Sequence, residues 1–157
     1  MYTGLLHLHS TLRWVILILL VLMIIRAWAG RNGNRTWSEG DRKMGLFLLI
    51  SSHIQLLIGT YQWISGPWGY AQIQMNGMAD TMKNATARFF AVEHFIGMLV
   101  MITLVTIAYS YSKKSIDDKV KYNKLFWYYV IALALIMALV PWPFREVGMG
   151  RAWFPGM

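Results

Sequence analysis

The sequence predicts an all-α integral membrane protein, an up-down-up-down four-helix bundle with both termini outside the cytoplasm. Three observations predict it. Four apolar runs each approach the roughly 20 residues that a helix needs to cross the hydrocarbon core. Only 14% of the residues are charged and 57% are hydrophobic, whereas a soluble domain carries about 25% charged residues. Lys and Arg are concentrated in alternate connections, the signature of the positive-inside rule.

The apolar runs cover about residues 5–29, 44–65, 89–111 and 125–142, with an outer connection at 66–87. At 157 residues the chain is read as one transmembrane domain, 1–157. The first run reads as a span and not as a cleaved leader. It has no basic segment before it, no small-residue cleavage site after it, and it is too long. With connections this short, sequential antiparallel packing is the simplest arrangement.

Orientation follows from the basic residues. Arg26, Arg31, Arg35, Arg42 and Lys43 belong to the first connection, and Lys113, Lys114, Lys119, Lys121 and Lys124 to the third. The second holds only Lys83 and Arg88, and the tail only Arg145 and Arg151. Connections one and three therefore face the cytoplasm, and the chain reads as multi-pass in a bacterial inner membrane. Aromatic residues agree: Trp28, Tyr109, Tyr111 and Trp127 mark the inner interface, and Trp63, Trp68, Trp142 and Trp153 the outer one.

The punctuation fits these boundaries. Ser38 followed by Asp41 is a capping-box start for the second helix, with Asp in place of Glu or Gln. Asp117 and Asp118 open a polar lead-in to the fourth, and Pro141 and Pro143 end it. In the second connection Met75, Met78 and Met82 recur at helical spacing, which predicts a short amphipathic helix on the outer interface.

Some function classes are excluded. The chain has no cysteine, so disulfides, iron–sulfur clusters and thiol chemistry are ruled out. Its net charge of +8 does not indicate nucleic acid, because the cations sit at the ends of apolar runs where topology accounts for them.

Ionisable residues within a span are costly and mark a site or a structural pair. His7 and His9 lie at the outer end of the first helix, His53 within the second and His94 in the outer half of the third. Glu93 precedes His94, and Arg13 follows His9 by one turn. On helix three Ala87, Phe90, Gly97, Met98, Met101 and Val105 share a stripe with His94, small and soft residues that suit a flat apolar cofactor. Close helix packing through Gly97 explains that stripe equally well. His53 shares a face with Thr60, while Ser51, Gln55 and Gln62 lie opposite as interhelical hydrogen-bonding groups.

Haem suits this donor set, since two neutral imidazoles can ligate its iron. Neighbouring helices pack about 8–10 Å apart, so imidazoles on both sides of one iron need the diagonal of a square bundle, about 14 Å. Helices one and three form such a diagonal. His94 is expected as one axial ligand, with His9 or His53 as the other; His7 points nearly opposite His9. Arg13, Arg88 and Arg145 are candidate propionate partners. Glu93 is a candidate proton carrier toward a quinone, or the partner of Arg13 in an ion pair.

The strings HLHSTLRW (7–14), DRKMGLFLLISSHIQLLIG (41–59), RFFAVEHFIGM (88–98) and PWPF (141–144) resemble those of small bacterial four-helix membrane proteins labelled cytochrome b. The resemblance covers nearly the whole chain. It implies a membrane-embedded haem b with ligands at positions matching His9, His53 and His94. The wider four-helix cytochrome b-type group is distantly similar. Its two-haem members carry His near both faces, and this chain has none near the cytoplasmic face.

Three functional expectations follow. The first is a haem b electron-transfer protein, hence an oxidoreductase, exchanging electrons at the outer face with quinol or a small oxidant, alone, as a homo-oligomer or beside a redox-complex partner. The second is a copper or other metal-binding protein using His7, His9, His53, His94 and the outer Met residues, because imidazole and thioether suit copper. The third is a non-catalytic accessory subunit whose polar residues only fix helix packing.

Overall fold

The computed structural model describes residues 2–33, 35–145 and 150–153. They form five helices and, among the described residues, no strand: α1 (Tyr2–Arg31), α2 (Glu39–Ser65), α3 (Tyr70–Lys83), α4 (Ala85–Ser112) and α5 (Asp118–Leu139). Four of them, of 30, 27, 28 and 22 residues, are long and apolar enough to cross a membrane. Each carries large apolar side chains on its outer surface, including Ile18 and Ile25, Phe47 and Leu57, Ile107, and Ile131. A soluble monomer seldom exposes so much contiguous apolar surface.

The long helices pack as a square. α1 contacts α2 and α5, and α4 contacts the same two, which leaves α1 and α4 on one diagonal. Neighbours run antiparallel. Along α1 the residues Tyr2, His9 and Met23 meet Gly66, Gly59 and Gly45 of α2 in reverse order. All these steps are multiples of seven residues, the repeat that keeps one seam in contact between two helices. Small residues on α2 thus make room for larger ones on α1.

The ends of the helices follow from their sequences. At α2, Ser38 and Asp41 form the expected capping box. Asp41 does more than cap: it is fully buried and is the hub of the end of the bundle opposite the N-terminus. Its Oδ1 accepts from Arg26 at 2.8 Å and from Arg35 at 3.1 Å, and its Oδ2 from the Ser38 hydroxyl at 2.7 Å and the Tyr122 hydroxyl at 2.8 Å. This carboxylate joins α1, α2 and α5 and satisfies charges that would be expensive alone. Burial opposes the charge on Arg35, but Tyr122 and Asp41 outweigh it and raise the guanidinium pKa.

Two boundaries differ from the sequence expectation. The polar lead-in to the fourth span is already helical: Asp117 caps it by accepting from the Val120 amide at 3.1 Å, and helix begins at Asp118. That helix stops at Leu139, short of residue 142, because Pro141 and Pro143 have no N–H to continue it. The short helix α3 between the second and third long helices is broken at Gly77 (φ 74, ψ 162), a backbone conformation that favours glycine. Met75, Met78 and Met82 therefore do not share one continuous helical stripe. All three are exposed.

Candidate functional site

The end of the bundle that carries the N-terminus of α1 holds a cavity of about 420 Å³, within the roughly 300–1,000 Å³ range of small-molecule sites. Its walls are largely apolar, with Leu56 from α2, Phe90, Met98 and Met101 from α4, and Ile136 from α5. His9 and His94 both line it, from the two diagonal helices.

The position of His94 is set by three local features. Residues Phe89–Glu93 form a π turn directly before it, closed by the His94 amide bonding to the Phe89 carbonyl. Such single π turns add one residue to the helical period and are frequent at functional sites. The Trp63 indole of α2 donates to the Ala91 carbonyl at 2.9 Å and its ring stacks on Phe95 at 4.7 Å, which ties the π turn to α2. The third feature lies on α5. The helical partner of the Leu139 carbonyl would be the amide of residue 143, but Pro143 has none. That carbonyl instead takes Nδ1–H of His94 at 2.6 Å. Pro141 leaves the Met137 carbonyl open in the same way, and the Trp142 indole donates to it at 3.1 Å. The hydrogen bond on Nδ1 fixes the tautomer and leaves Nε2 as the nitrogen that can bind a ligand.

Gly97 makes this approach feasible. A methyl group there would overlap the Leu139 side chain, so the packing role of Gly97 is observed directly. His9 is seated by Gly59, where an added Cβ would lie 3.1 Å from the imidazole Cε1. The His9 carbonyl accepts from Gln55 Nε2 at 3.0 Å. Four buried polar atoms on the cavity-lining residues have no hydrogen-bond partner among the described residues: His9 Nδ1, Arg13 Nε, Gln55 Oε1 and Gln62 Nε2. Buried polar groups are normally paired, so such a cluster calls for an explanation.

The other sequence-predicted residues are distributed unequally. His7 is exposed but borders the cavity mouth. His53 is on the outer surface of α2, with Nδ1 2.9 Å from the Leu49 carbonyl of its own helix, and it does not line the cavity. Arg13 lines the cavity, donates to the Trp153 carbonyl at 2.9 Å, and stacks on Trp14 and Trp142, each 5.4 Å from its guanidinium. Arg88 and Arg145 stand outside: Arg88 binds Glu93 and the Met82 carbonyl, and Arg145 lies 4.8 Å from the Phe89 ring.

The expected Arg13–Glu93 ion pair is absent. Glu93 bonds to Arg88 at 2.6 Å and does not line the cavity. The physical reason is the π turn: its i to i+5 period aligns Glu93 with Arg88, whereas an α-helical count aims it elsewhere. Among the cavity residues that the sequence reading did not assign to the site are Arg151 and Tyr2. Arg151 lines the cavity from the tail, its backbone amide bound to the Pro141 carbonyl at 3.0 Å and its guanidinium 4.6 Å from Phe90. Tyr2 lines it from the start of α1. Arg151 sits seven residues past PWPF, where sequence offers no helical period from which to place it.

The cavity wall carries few donors: His7, His9 and His94 among largely apolar residues. The porphyrin supplies four nitrogen ligands of its own, so a haem needs only one or two from protein. A bare metal ion needs more, and no group of three or more His, Cys, Asp and Glu occurs among the described residues. The outer methionines do not line the cavity, which separates them from His9 and His94. No family model matches this chain, and neither curated proteins nor solved structures yield a significant match. Fold and cavity define a protein that is helical over its described residues, with four potential membrane spans and a largely apolar pocket lined by histidines.

Proposed function

We propose that this protein is an inner-membrane haem b protein that transfers electrons at its outer face, with His9 and His94 as axial ligands. One observation carries the reading: two imidazoles from diagonal helices line one apolar cavity, and one of them is already oriented by a main-chain carbonyl. The resemblance of four sequence strings to small bacterial cytochromes b points the same way.

Haem bound there would supply a one-electron centre whose potential the protein tunes through ligands, burial and hydrogen bonds. The chain's own residues divide the remaining work. Leu139, through its carbonyl, keeps the proton on His94 Nδ1 and holds the ring in one orientation. Arg13 and Arg151 are the cations on the cavity wall, suited to anchor carboxylates. Gln55 and Gln62 border the same space, and each carries a buried polar atom without a partner among the described residues. Phe90, Met98 and Met101 exclude water from it. Quinol or a small oxidant would approach by the outer mouth, near His7 and Trp68.

The test is an absorption spectrum of detergent-purified protein before and after dithionite. Wild type should show a Soret band and a sharp reduced α-band. His94→Ala and His9→Ala should each lose most of that signal, and His53→Ala should keep it. A colourless wild type that carries copper by elemental analysis would replace this reading with the copper one. Colourless, metal-free protein would favour an accessory subunit.

A further inference from the structure

The opposite end of the bundle carries a second feature. A groove of about 710 Å³ opens between the end of α1 and the first turns of α5, lined by Arg31, Asn32, Lys119, Val120, Asn123 and Lys124. Three cations and two amides line it, and no carboxylate does. Among the described residues, none of the three cations has an acidic partner within ion-pair distance. The nearest acids in sequence are engaged with main-chain amides: Asp117 accepts from Val120 at 3.1 Å and Asp118 from Trp37 at 2.9 Å.

Aromatic rings hold the central cation in place. The Arg31 guanidinium lies 4.4 Å from the Phe126 ring, 5.3 Å from Trp28 and 5.6 Å from Trp127. Lys124 reaches the groove from the α4 side, its ammonium 4.8 Å from the Tyr111 ring. Trp28 and Trp127 are 55% and 52% exposed, and the outward apolar faces of α1 and α5 continue beyond them with Ile25 and Ile131. Unpaired cations above exposed indoles, above an apolar helical surface, match the layers of a phospholipid: anionic headgroup, interface, acyl chains.

We infer that this groove binds the phosphate-bearing headgroup of an anionic phospholipid on the cytoplasmic leaflet, with the acyl chains lying along α1 and α5. Arg31 supplies the planar donors that suit phosphate oxygens, and Lys119 and Lys124 supply mobile charges. Asn32 and Asn123 offer amide donors to the headgroup's outer part. The inference rests on the membrane placement proposed above and is independent of any cofactor in the outer cavity.

The experiment is native mass spectrometry of the full chain in neutral detergent, after incubation with phosphatidylglycerol or phosphatidylcholine of identical acyl chains. Wild type should retain phosphatidylglycerol at least about tenfold more strongly, given three cations near one headgroup. The triple variant Arg31→Gln, Lys119→Gln, Lys124→Gln should retain both lipids equally. The single variant Lys119→Glu, at an exposed position, should lose most of the preference and serves if the triple variant misfolds. Lys113→Gln, which removes a cation resting on Tyr109, should leave the preference intact. Equal retention by wild type, or a preference that survives the triple variant, overturns the proposal. So does inorganic phosphate at millimolar concentration displacing the lipid, which would make the groove a free-phosphate site. The haem spectrum of the same samples reports separately on the outer cavity.

Discussion

At the scale of single residues, Pro143 is as consequential for the candidate site as the histidine it serves. A proline after a helix removes a donor, and here the carbonyl left over at Leu139 receives His94 at 2.6 Å. Replacing both prolines, Pro141→Ala with Pro143→Ala, lets the helix continue past Leu139, so that an N–H at 143 competes for that carbonyl without touching either proposed ligand. In a haemin titration of purified protein, affinity should fall about tenfold, the lower end of what losing an orienting partner costs a metal-bound imidazole. The band positions at saturation should stay those of wild type, because both imidazoles remain. Unchanged affinity would show that the carbonyl does not orient the ring. The four orphaned atoms on the cavity walls belong to the same scale. A ligand that pairs even two of them recovers desolvation free energy of about 1–3 kcal/mol for each.

At the scale of elements, glycine fixes how closely the helices approach. At Gly30 an added Cβ would overlap the Tyr122 ring, whose hydroxyl is bound into the Asp41 hub. The ring cannot swing aside without giving up that bond. Gly30→Ala should therefore lower stability by about 1–3 kcal/mol through overpacking, read as a lower melting temperature in detergent. Gly4→Ala, where nothing lies within 4 Å, should be neutral or slightly stabilising because alanine favours helix. The contrast also indicates what sequence could reveal at this scale. The four long helices, their order, the capping box at Ser38 and the diagonal of α1 and α4 were legible, because apolar length, cap residues and short connections each have a direct physical meaning. The π turn was not. No residue in FFAVE differs from what an α-helix would accept, and the extra residue moves Glu93 from Arg13 to Arg88. His53 was misleading for a related reason: depth along a helix can be counted from sequence, but its outward direction depends on which stripe packs. That stripe is Gly45, Ser52 and Gly59, and the heptad interval that links it to Tyr2, His9 and Met23 was present in the sequence all along.

At the scale of the whole molecule, the two ends have different chemistry. One end holds the cavity with His9, His94, Arg13 and Arg151; the other holds the Asp41 hub and the basic groove at Arg31. Which end faces the cytoplasm determines where electrons and lipids would meet the protein, and charge distribution supplies the answer to be tested. Ten of the fifteen Lys and Arg lie in the connections at the hub end, and each resists transfer across the membrane. The chain has no cysteine, so single cysteines can be introduced without a background. Asn76→Cys lies in the exposed part of α3 at the cavity end, and Ser115→Cys lies in the exposed connection between α4 and α5 at the hub end. A membrane-impermeant maleimide applied to intact spheroplasts should label position 76 within minutes and position 115 only after lysis. The reverse pattern would put the cavity inside and move the proposed electron exchange to the cytoplasmic face. Labelling of both in intact cells would mean that the chain inserts in two orientations, and ten basic residues on one side weigh strongly against that.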